Sequence, residues 1–260
     1  MFDFQVDCAY GLCFILPIIA VLLIGISKAG FGGGVGLVTT PLLSLLFPAR
    51  IVVGFLLPLL IIADWFTLYH YRREWDWGIL KKLLPGALVG IMLGSLFVDV
   101  ISDVQLKRTI GIVAMLFLVL QYFRSTQHRD RAYIPVWWHG ILAGFLAGFI
   151  SAIAHSAGII IAMFLLPQQL PKRTYVATMA LFFALVNLLK VPPYVMLGLI
   201  NFSTLKAGLL FILFIPIGVK LGVWLNQKVS QQTFMRVVYV LVFLIAMQLL
   251  IGKSLFQLFM

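Results

Sequence analysis

A cluster of glycines near the start of the chain is the strongest chemical feature of the sequence. Residues 30–36 read Gly-Phe-Gly-Gly-Gly-Val-Gly, with Lys28 before them and Thr39 and Thr40 after them. Glycines weaken a helix, so a break between two apolar helices is predicted here. The helix after such a break directs free N–H groups and a positive dipole end at the gap, which favours an anion. The predicted binding residues are Lys28, Gly32, Gly33, Gly34, Thr39 and Thr40.

A nucleotide-binding loop and tight helix packing are the alternatives to an anion site at these glycines. The nucleotide-binding loop is excluded, because neither the Walker pattern nor Gly-x-Gly-x-x-Gly fits these positions. Helix packing through glycines stays open as an alternative to ligand binding.

A second break is predicted where His155 separates two apolar runs, in the sequence Ser-Ala-Ile-Ala-His-Ser-Ala-Gly of residues 151–158. An ionisable side chain inside a membrane is a functional candidate. His155 can donate a hydrogen bond to an anion or take up a proton near neutral pH. The alternative is a neutral histidine bonded to a backbone carbonyl. Ser156 and Gly158 complete the binding residues predicted at this break.

Asp64 is the one acidic residue well inside an apolar run. It is predicted to be a proton carrier or the partner of a basic residue such as Lys28. The alternative is a position near the membrane surface, paired with His70 or Arg72. Asp64 and His155 are therefore the candidates for proton coupling.

Three polar residues, Thr178, Asn187 and Lys190, have spacings that place them on roughly one face of a helix. All three are predicted to contact the substrate. Lys190 is close to Pro192-Pro193, where a helix is expected to end, so its ammonium group can instead extend to the membrane surface. The sequence shows no metal-ligand spacing, and neither a cofactor nor a metal is expected.

The composition indicates that lipid surrounds most of the chain. Hydrophobic residues make up 63% of the 260 residues and charged residues only 10%, with a mean hydropathy of +1.11. The net charge of +11 comes from basic residues in short gaps between apolar runs, which is typical of orientation signals rather than of a nucleic-acid surface. The expected partners are a small anion and the lipid bilayer, with a homodimer possible and no nucleic acid.

Apolar runs predict an all-α integral membrane protein with 8–10 transmembrane segments. The runs cover residues 8–27, 35–47, 51–69, 79–98, 105–123, 139–154, 157–167, 174–190, 203–225 and 234–252. The second and seventh runs are short, and each follows one of the two breaks.

The chain divides into two halves that align with each other, which predicts an internal duplication. Pro48-Ala49-Arg50 matches Pro171-Lys172-Arg173, and this register places Asp64 on Asn187. The first repeat is residues 1–123, the polar linker 124–136 and the second repeat 137–260. Five crossings per half would invert the second repeat; if the short runs only re-enter the membrane, the halves run parallel. Glycines four residues apart predict close helix packing or a sliding surface: Gly86, Gly90, Gly94, Gly140, Gly144, Gly148, Gly218 and Gly222.

Together these features resemble the sulfite exporter TauE/SafE family of membrane transporters. The resemblance is carried by Gly30–Gly34 with Pro41, and in the second half by the sequences of residues 154–158, 165–172 and 182–194 with Thr178. It implies transport of sulfur-containing anions across the bacterial inner membrane. Family members often carry Gly-Gly followed by Pro in the second loop, where this chain has Ser156-Ala157-Gly158-Ile159-Ile160.

These observations predict a secondary transporter of a small anion, such as sulfite or a sulfoacetate-like sulfonate. The two breaks meet around the anion, and the repeats move to alternate access. A passive anion channel is the first alternative. An intramembrane enzyme is the second, and catalytic residues are not expected, since only His155 and Asp64 are buried candidates.

Overall fold

The computed structural model describes residues 11–30, 36–71, 74–126, 136–228 and 231–251, and these residues form helices and turns without strands. The helices are α1 (Leu12–Gly30), α2 (Gly36–Ser44), α3 (Ala49–His70), α4 (Trp77–Val100), α5 (Asp103–Thr126), α6 (Trp137–Ala154), α7 (Gly158–Leu165), α8 (Lys172–Met196), α9 (Phe202–Phe211), α10 (Phe214–Lys228) and α11 (Gln231–Ile251), with a 3-10 turn at Leu166–Gln168. The predicted all-α class is confirmed.

Four of the described helices, within α3, α4, α6 and α8, are long and apolar enough to cross a membrane, and the bent pair α9–α10 raises the number to five. Two further apolar helices, Phe14–Lys28 and Tyr239–Ile251, are shorter within the described residues. Many large apolar side chains on the outer surface are exposed, as expected when lipid is the solvent. The larger number of eight to ten crossings stays a prediction.

The second-half helices differ from the predicted runs at two places that contain prolines. The run 203–225 is broken between Phe211 and Phe214, where its two helices meet at 49°. Pro216 accounts for the bend, because a proline lacks an N–H and clashes with the carbonyl four residues earlier. By contrast, α8 continues through Pro192 and Pro193 to Met196. The expectation that a helix ends beside Lys190 is therefore wrong.

Two short helices follow the two predicted breaks. Helix α2 has 9 residues and α7 has 8, so each is about 12–14 Å long. The hydrocarbon core is ~30 Å thick, so neither helix crosses it alone. The helix break before α7 confirms the prediction at His155. The glycines Gly32, Gly33 and Gly34 and most of the 124–136 linker lie outside the described residues.

Glycines hold two pairs of helices at backbone contact. In the pair α4–α6, a Cβ atom on Gly86 would lie 1.9 Å from the carbonyl oxygen of Ile141, and one on Gly90 would lie 2.1 Å from that of Phe145. From Gly86 to Gly90 the contacted residue also moves four positions forward, from Ile141 to Phe145, so these two helices run parallel. Each glycine-packed pair joins one helix from each half, since the other pair is α1–α10.

The pair α1–α10 repeats this packing at Gly218 and Gly222. Cβ atoms at these glycines would each lie 2.6 Å from a carbonyl oxygen of α1, those of Leu22 and Ile26 respectively. These two helices are also parallel, because both contacts advance by four residues. The predicted close packing is confirmed at both pairs.

Two helix pairs that each join the first half of the chain to the second run in opposite directions where they meet. Along α3 and α8, Asp64 contacts Asn187, while Gly54 lies against the backbone of Leu199, just after α8. Along α5 and α11, Gly111 lies near Leu249, while Phe117 contacts Tyr239 further back along α11. Both pairs are therefore antiparallel.

Replacing Gly144 by alanine is expected to destabilise the protein. The added Cβ would lie 1.9 Å from the carbonyl oxygen of Leu83, and a backbone atom cannot move away unless α4 and α6 separate. We expect the free energy of unfolding to fall by about 1–3 kcal/mol. Thermal unfolding of the purified protein in detergent measures the change.

Gly208→Ala in α9 is the matched control, because among the described residues no atom outside the nearby backbone of its own helix lies within 4 Å of the added Cβ. Its Tm should stay unchanged or rise slightly, since alanine is the better helix former by ~1 kcal/mol. An equal loss of Tm in the two variants would show that the glycine contact is unimportant.

Candidate functional site

Asp64 of α3 lies at the centre of a buried polar cluster. The ammonium group of Lys28 in α1 forms an ion pair with Oδ1 of Asp64 and donates to the carbonyl oxygen of Leu60 at 3.1 Å. The amide of Asn187 in α8 donates to Oδ2 of Asp64 at 2.6 Å. Both carboxylate oxygens are thus bound, as a buried charge requires. Pairing with Lys28, one of the predicted roles of Asp64, is present.

His155 ends α6 in a left-handed backbone conformation, with φ of 52°. This conformation is uncommon for residues other than glycine, although histidine adopts it more readily than most. It stops the helix inside the protein and turns the imidazole toward α3 and α8. There Nε2 lies 3.0 Å from the carbonyl oxygen of Val53, and Nδ1 lies 2.8 Å from the ammonium group of Lys190.

The Lys190 side chain is inside the protein, with 0% of its surface exposed, so it does not extend to the membrane surface. Its ammonium group donates to Oγ of Ser151 at 3.0 Å and to the carbonyl oxygen of Ser151 at 3.3 Å. His155 Nδ1 is the third acceptor. An ammonium group has three N–H donors, and all three are satisfied.

With Lys190 as an ammonium group, one tautomer of His155 satisfies these contacts. Nδ1 accepts from the ammonium group of Lys190, and the Val53 carbonyl can only accept, so Nε2 carries the proton. His155 is therefore neutral in this arrangement and bonded to a backbone carbonyl. Its Nε2–H is directed at Val53 rather than at an anion.

The break after α6 leaves carbonyl groups without helical donors, and side chains supply partners for two of them. The Tyr194 hydroxyl donates to Ala152 at 2.6 Å, and the Ser156 hydroxyl donates to Ala154 at 2.7 Å. Lys190 adds a second donor to the Ser151 carbonyl, which already accepts from the backbone N–H of His155 at 3.0 Å. An unpaired carbonyl inside a membrane costs several kcal/mol. Ser156 therefore acts in this structure as a cap for the break.

A cavity of about 30 Å³ opens beside this cluster, between the ends of α1 and α6. This is enough space for at least one water molecule. It is lined by Ile24, Ser27, Lys28, Leu60, Ser151, His155, Ala157, Gly158, Phe183 and Asn187. Four of the predicted binding residues meet at this cavity: Lys28, His155, Gly158 and Asn187. Lys190 lies behind it, in contact with His155 and Ser151.

The remaining predicted binding residues of the described structure lie elsewhere. Thr178 is buried near the start of α4, where its hydroxyl accepts from the backbone N–H of Asp76 at 2.9 Å. Ser156 lines a separate apolar cavity of about 390 Å³ between α5, α6 and α7. Thr39 and Thr40 are buried in α2 and are not among the described lining residues of the small cavity.

Ser151 is the main site residue that was not predicted from the sequence, together with Ser27 and Phe183. Ser151 precedes His155 by four residues and Ser27 adjoins Lys28. The spacing of four, which places side chains on one helix face, is the signal that points to Ser151. No comparable signal identifies Phe183 or the carbonyl groups of Val53 and Leu60.

Long apolar helices, a helix break at His155 and a charged cluster inside the protein define a multi-pass membrane protein with an internal polar site. A family model described as Sulfite exporter TauE/SafE matches residues 17–249. The chain therefore belongs to the sulfite exporter TauE/SafE family, whose members are membrane transporters, and the resemblance in its motifs is confirmed. No curated protein and no solved structure matches the chain significantly.

Replacing His155 by alanine is expected to destabilise the protein. The change removes an acceptor of the buried Lys190 ammonium group and the donor to the Val53 carbonyl. Unsatisfied buried groups cost about 1–3 kcal/mol each, and more when charged. The free energy of unfolding in detergent should fall by at least this amount.

The double variant His155→Ala/Lys190→Met tests the cause. Methionine at position 190 carries no charge that would be left unsatisfied. The double variant should therefore lose less stability than His155→Ala and Lys190→Met lose in sum. His139→Ala, at a half-buried histidine near the start of α6, is the control and should change stability less. Additive single losses would argue against the Lys190–His155 contact.

Proposed function

We propose that the protein is a secondary transporter of a small anion, with the cavity between α1 and α6 as its binding site. One observation carries this proposal: a cavity inside the protein is lined by Lys28, Asn187 and Ser151, whose side chains carry an ammonium, an amide and a hydroxyl group. These groups come from both halves of the chain. Cationic and hydrogen-bonding groups inside a membrane protein are typical of a substrate pathway.

We propose sulfur oxyanions and organosulfonates as the substrate class, with sulfite or a sulfoacetate-like sulfonate as the leading case. The support is membership of the sulfite exporter TauE/SafE family. The oxygens of such anions accept hydrogen bonds from ammonium and amide donors, which are the donors at this cavity. The proposed location is the inner membrane of a bacterial cell.

We propose that the two halves are inverted repeats that alternate access to the site. The antiparallel pairs α3–α8 and α5–α11 support this, because an axis in the membrane plane reverses each matching helix. The aligned residues Asp64 and Asn187 contact each other directly. Such contact is expected where matching positions meet on the axis between two repeats.

Asp64 is proposed as the proton-coupling residue, with His155 as the second candidate. Its carboxylate holds Lys28 and Asn187 at the same time. Protonation of Asp64 would remove the charge that holds Lys28 and leave that ammonium group available to an anion. A proton could in this way change the state of the binding site.

Transport of sulfite in proteoliposomes tests the proposal. Lys28→Met should reduce the rate by tenfold or more, because it removes the cation that lines the cavity; a factor of ten corresponds to ~1.4 kcal/mol. Lys206→Met is the control, since Lys206 lies over the ring of Phe202 in α9, away from the cavity. Wild-type rates in Lys28→Met would remove the cavity from the transport path.

A pH gradient across the same vesicles separates a transporter from a passive channel. Accumulation of sulfite against its concentration gradient, driven by the pH gradient, is expected from a proton-coupled transporter. Flux that only equalises the anion on both sides would support the channel. Chemical conversion of the anion that depends on His155 would support an enzyme instead.

A further inference from the structure

Four ionisable side chains of the described residues surround the cavity, and their protonation states decide the net charge of the site. Among the described residues, the acidic and basic side chains around it are Lys28 from α1, Asp64 from α3, His155 at the end of α6 and Lys190 from α8. Helix α7 and the residue before it contribute Gly158 and Ala157, which are uncharged. The net charge of the site follows from the state of the four ionisable groups.

We assign the charge of each group from its hydrogen bonds, with Lys190 as an ammonium group. Lys190 has three acceptors arranged around its nitrogen, as an ammonium group requires, and one of them is the unprotonated Nδ1 of His155. Lys28 forms an ion pair with Asp64. Two cations, one anion and one neutral imidazole leave the site with one net positive charge.

We propose that the site takes its anion as a monoanion, with one negative charge, and this inference rests on the proposed function. A buried charge without a counter-charge is costly, so an anion of charge −1 brings the closed site to neutrality. A dianion would leave one uncompensated negative charge. Sulfonates and singly protonated sulfite fit this requirement, whereas sulfate and fully ionised sulfite enter only together with a proton.

The small size of the cavity limits the anion that it can take. Its volume is about 30 Å³, and Ile24, Leu60 and Phe183 are its large apolar lining residues. Apolar walls lower the local dielectric constant, which strengthens the preference for charge balance. The favoured ligand therefore has a compact sulfonate-like group and little or no organic tail.

Methanesulfonate and sulfate are the probes that test the charge rule, because both are small tetrahedral sulfur anions that carry one and two charges. Isothermal titration calorimetry in detergent gives the affinity of each. We expect the unaltered protein to bind methanesulfonate at least about tenfold more tightly than sulfate. Equal or tighter binding of sulfate would overturn the proposal.

Two single variants change the charge in opposite directions. Asp64→Asn raises the net charge of the site to +2, so the preference should shift toward sulfate by about tenfold. Asn187→Asp lowers it to zero, so both anions should bind more weakly and sulfate most of all. Asp99→Asn removes an acidic group whose side chain is 48% exposed, and it should leave the preference unchanged.

The double variant Asp64→Asn/Asn187→Asp separates the net charge from the position of the carboxylate. The two side chains are 2.6 Å apart, so the exchange keeps their hydrogen bond and restores the net charge of +1. The double variant should again bind methanesulfonate more tightly than sulfate. This exchange also tests the rule if Asp64→Asn alone proves unstable, because the carboxylate is retained.

Two outcomes distinguish a failure of the monoanion preference from a failure of the proposed transport function. If both anions bind but their affinity ratio is the same in every variant, the monoanion rule is wrong and the anion transporter stands. If the unaltered protein binds neither anion, nor sulfite itself, the proposed function is wrong and the monoanion rule falls with it.

Discussion

The bond network around one buried carboxylate connects the main parts of the structure. Asp64 holds Lys28 of α1 through one oxygen and Asn187 of α8 through the other. Each partner would be costly to bury alone, and the carboxylate would be costlier still. One carboxylate therefore links three helices by polar contacts. Apolar packing around them sets how closely the backbone can approach, but the polar contacts decide which residues face the cavity.

The break after α6 shows how an interrupted helix is kept inside a membrane protein. His155 takes a left-handed conformation, and Tyr194 of α8 donates to the Ala152 carbonyl that the break exposes, while Lys190 adds a donor to Ser151. His155 and Ser151 line the cavity, and Lys190 lies behind them. Structural support for the break and formation of the site are thus one set of contacts, which explains why Lys190 is fully buried in a chain surrounded by lipid.

Much of the fold follows from simple patterns in the sequence. Apolar runs locate the helices to within a few residues, because lipid requires long apolar segments. His155, Asp64 and Lys28 are identifiable since ionisable groups are rare inside membranes. The roles of Thr178 and Ser156 could not be predicted, because a hydroxyl group in an apolar run can serve a helix end as well as a ligand. The continuation of α8 through Pro192 and Pro193 depends on tertiary contacts that no local pattern contains.

The parallel pairs joined by glycines have a consequence for biogenesis. Helix α4 meets its partner α6 after one intervening helix, but α1 has to wait for α10, which is synthesised near the end of the chain. A chain inserted from its first residue therefore completes the α4–α6 pair early and the α1–α10 pair late. Lys28 is carried by α1, so its ion pair with Asp64 becomes fully supported only when Gly218 and Gly222 have entered the membrane. Assembly of the charged cluster around Asp64 therefore requires a nearly complete chain.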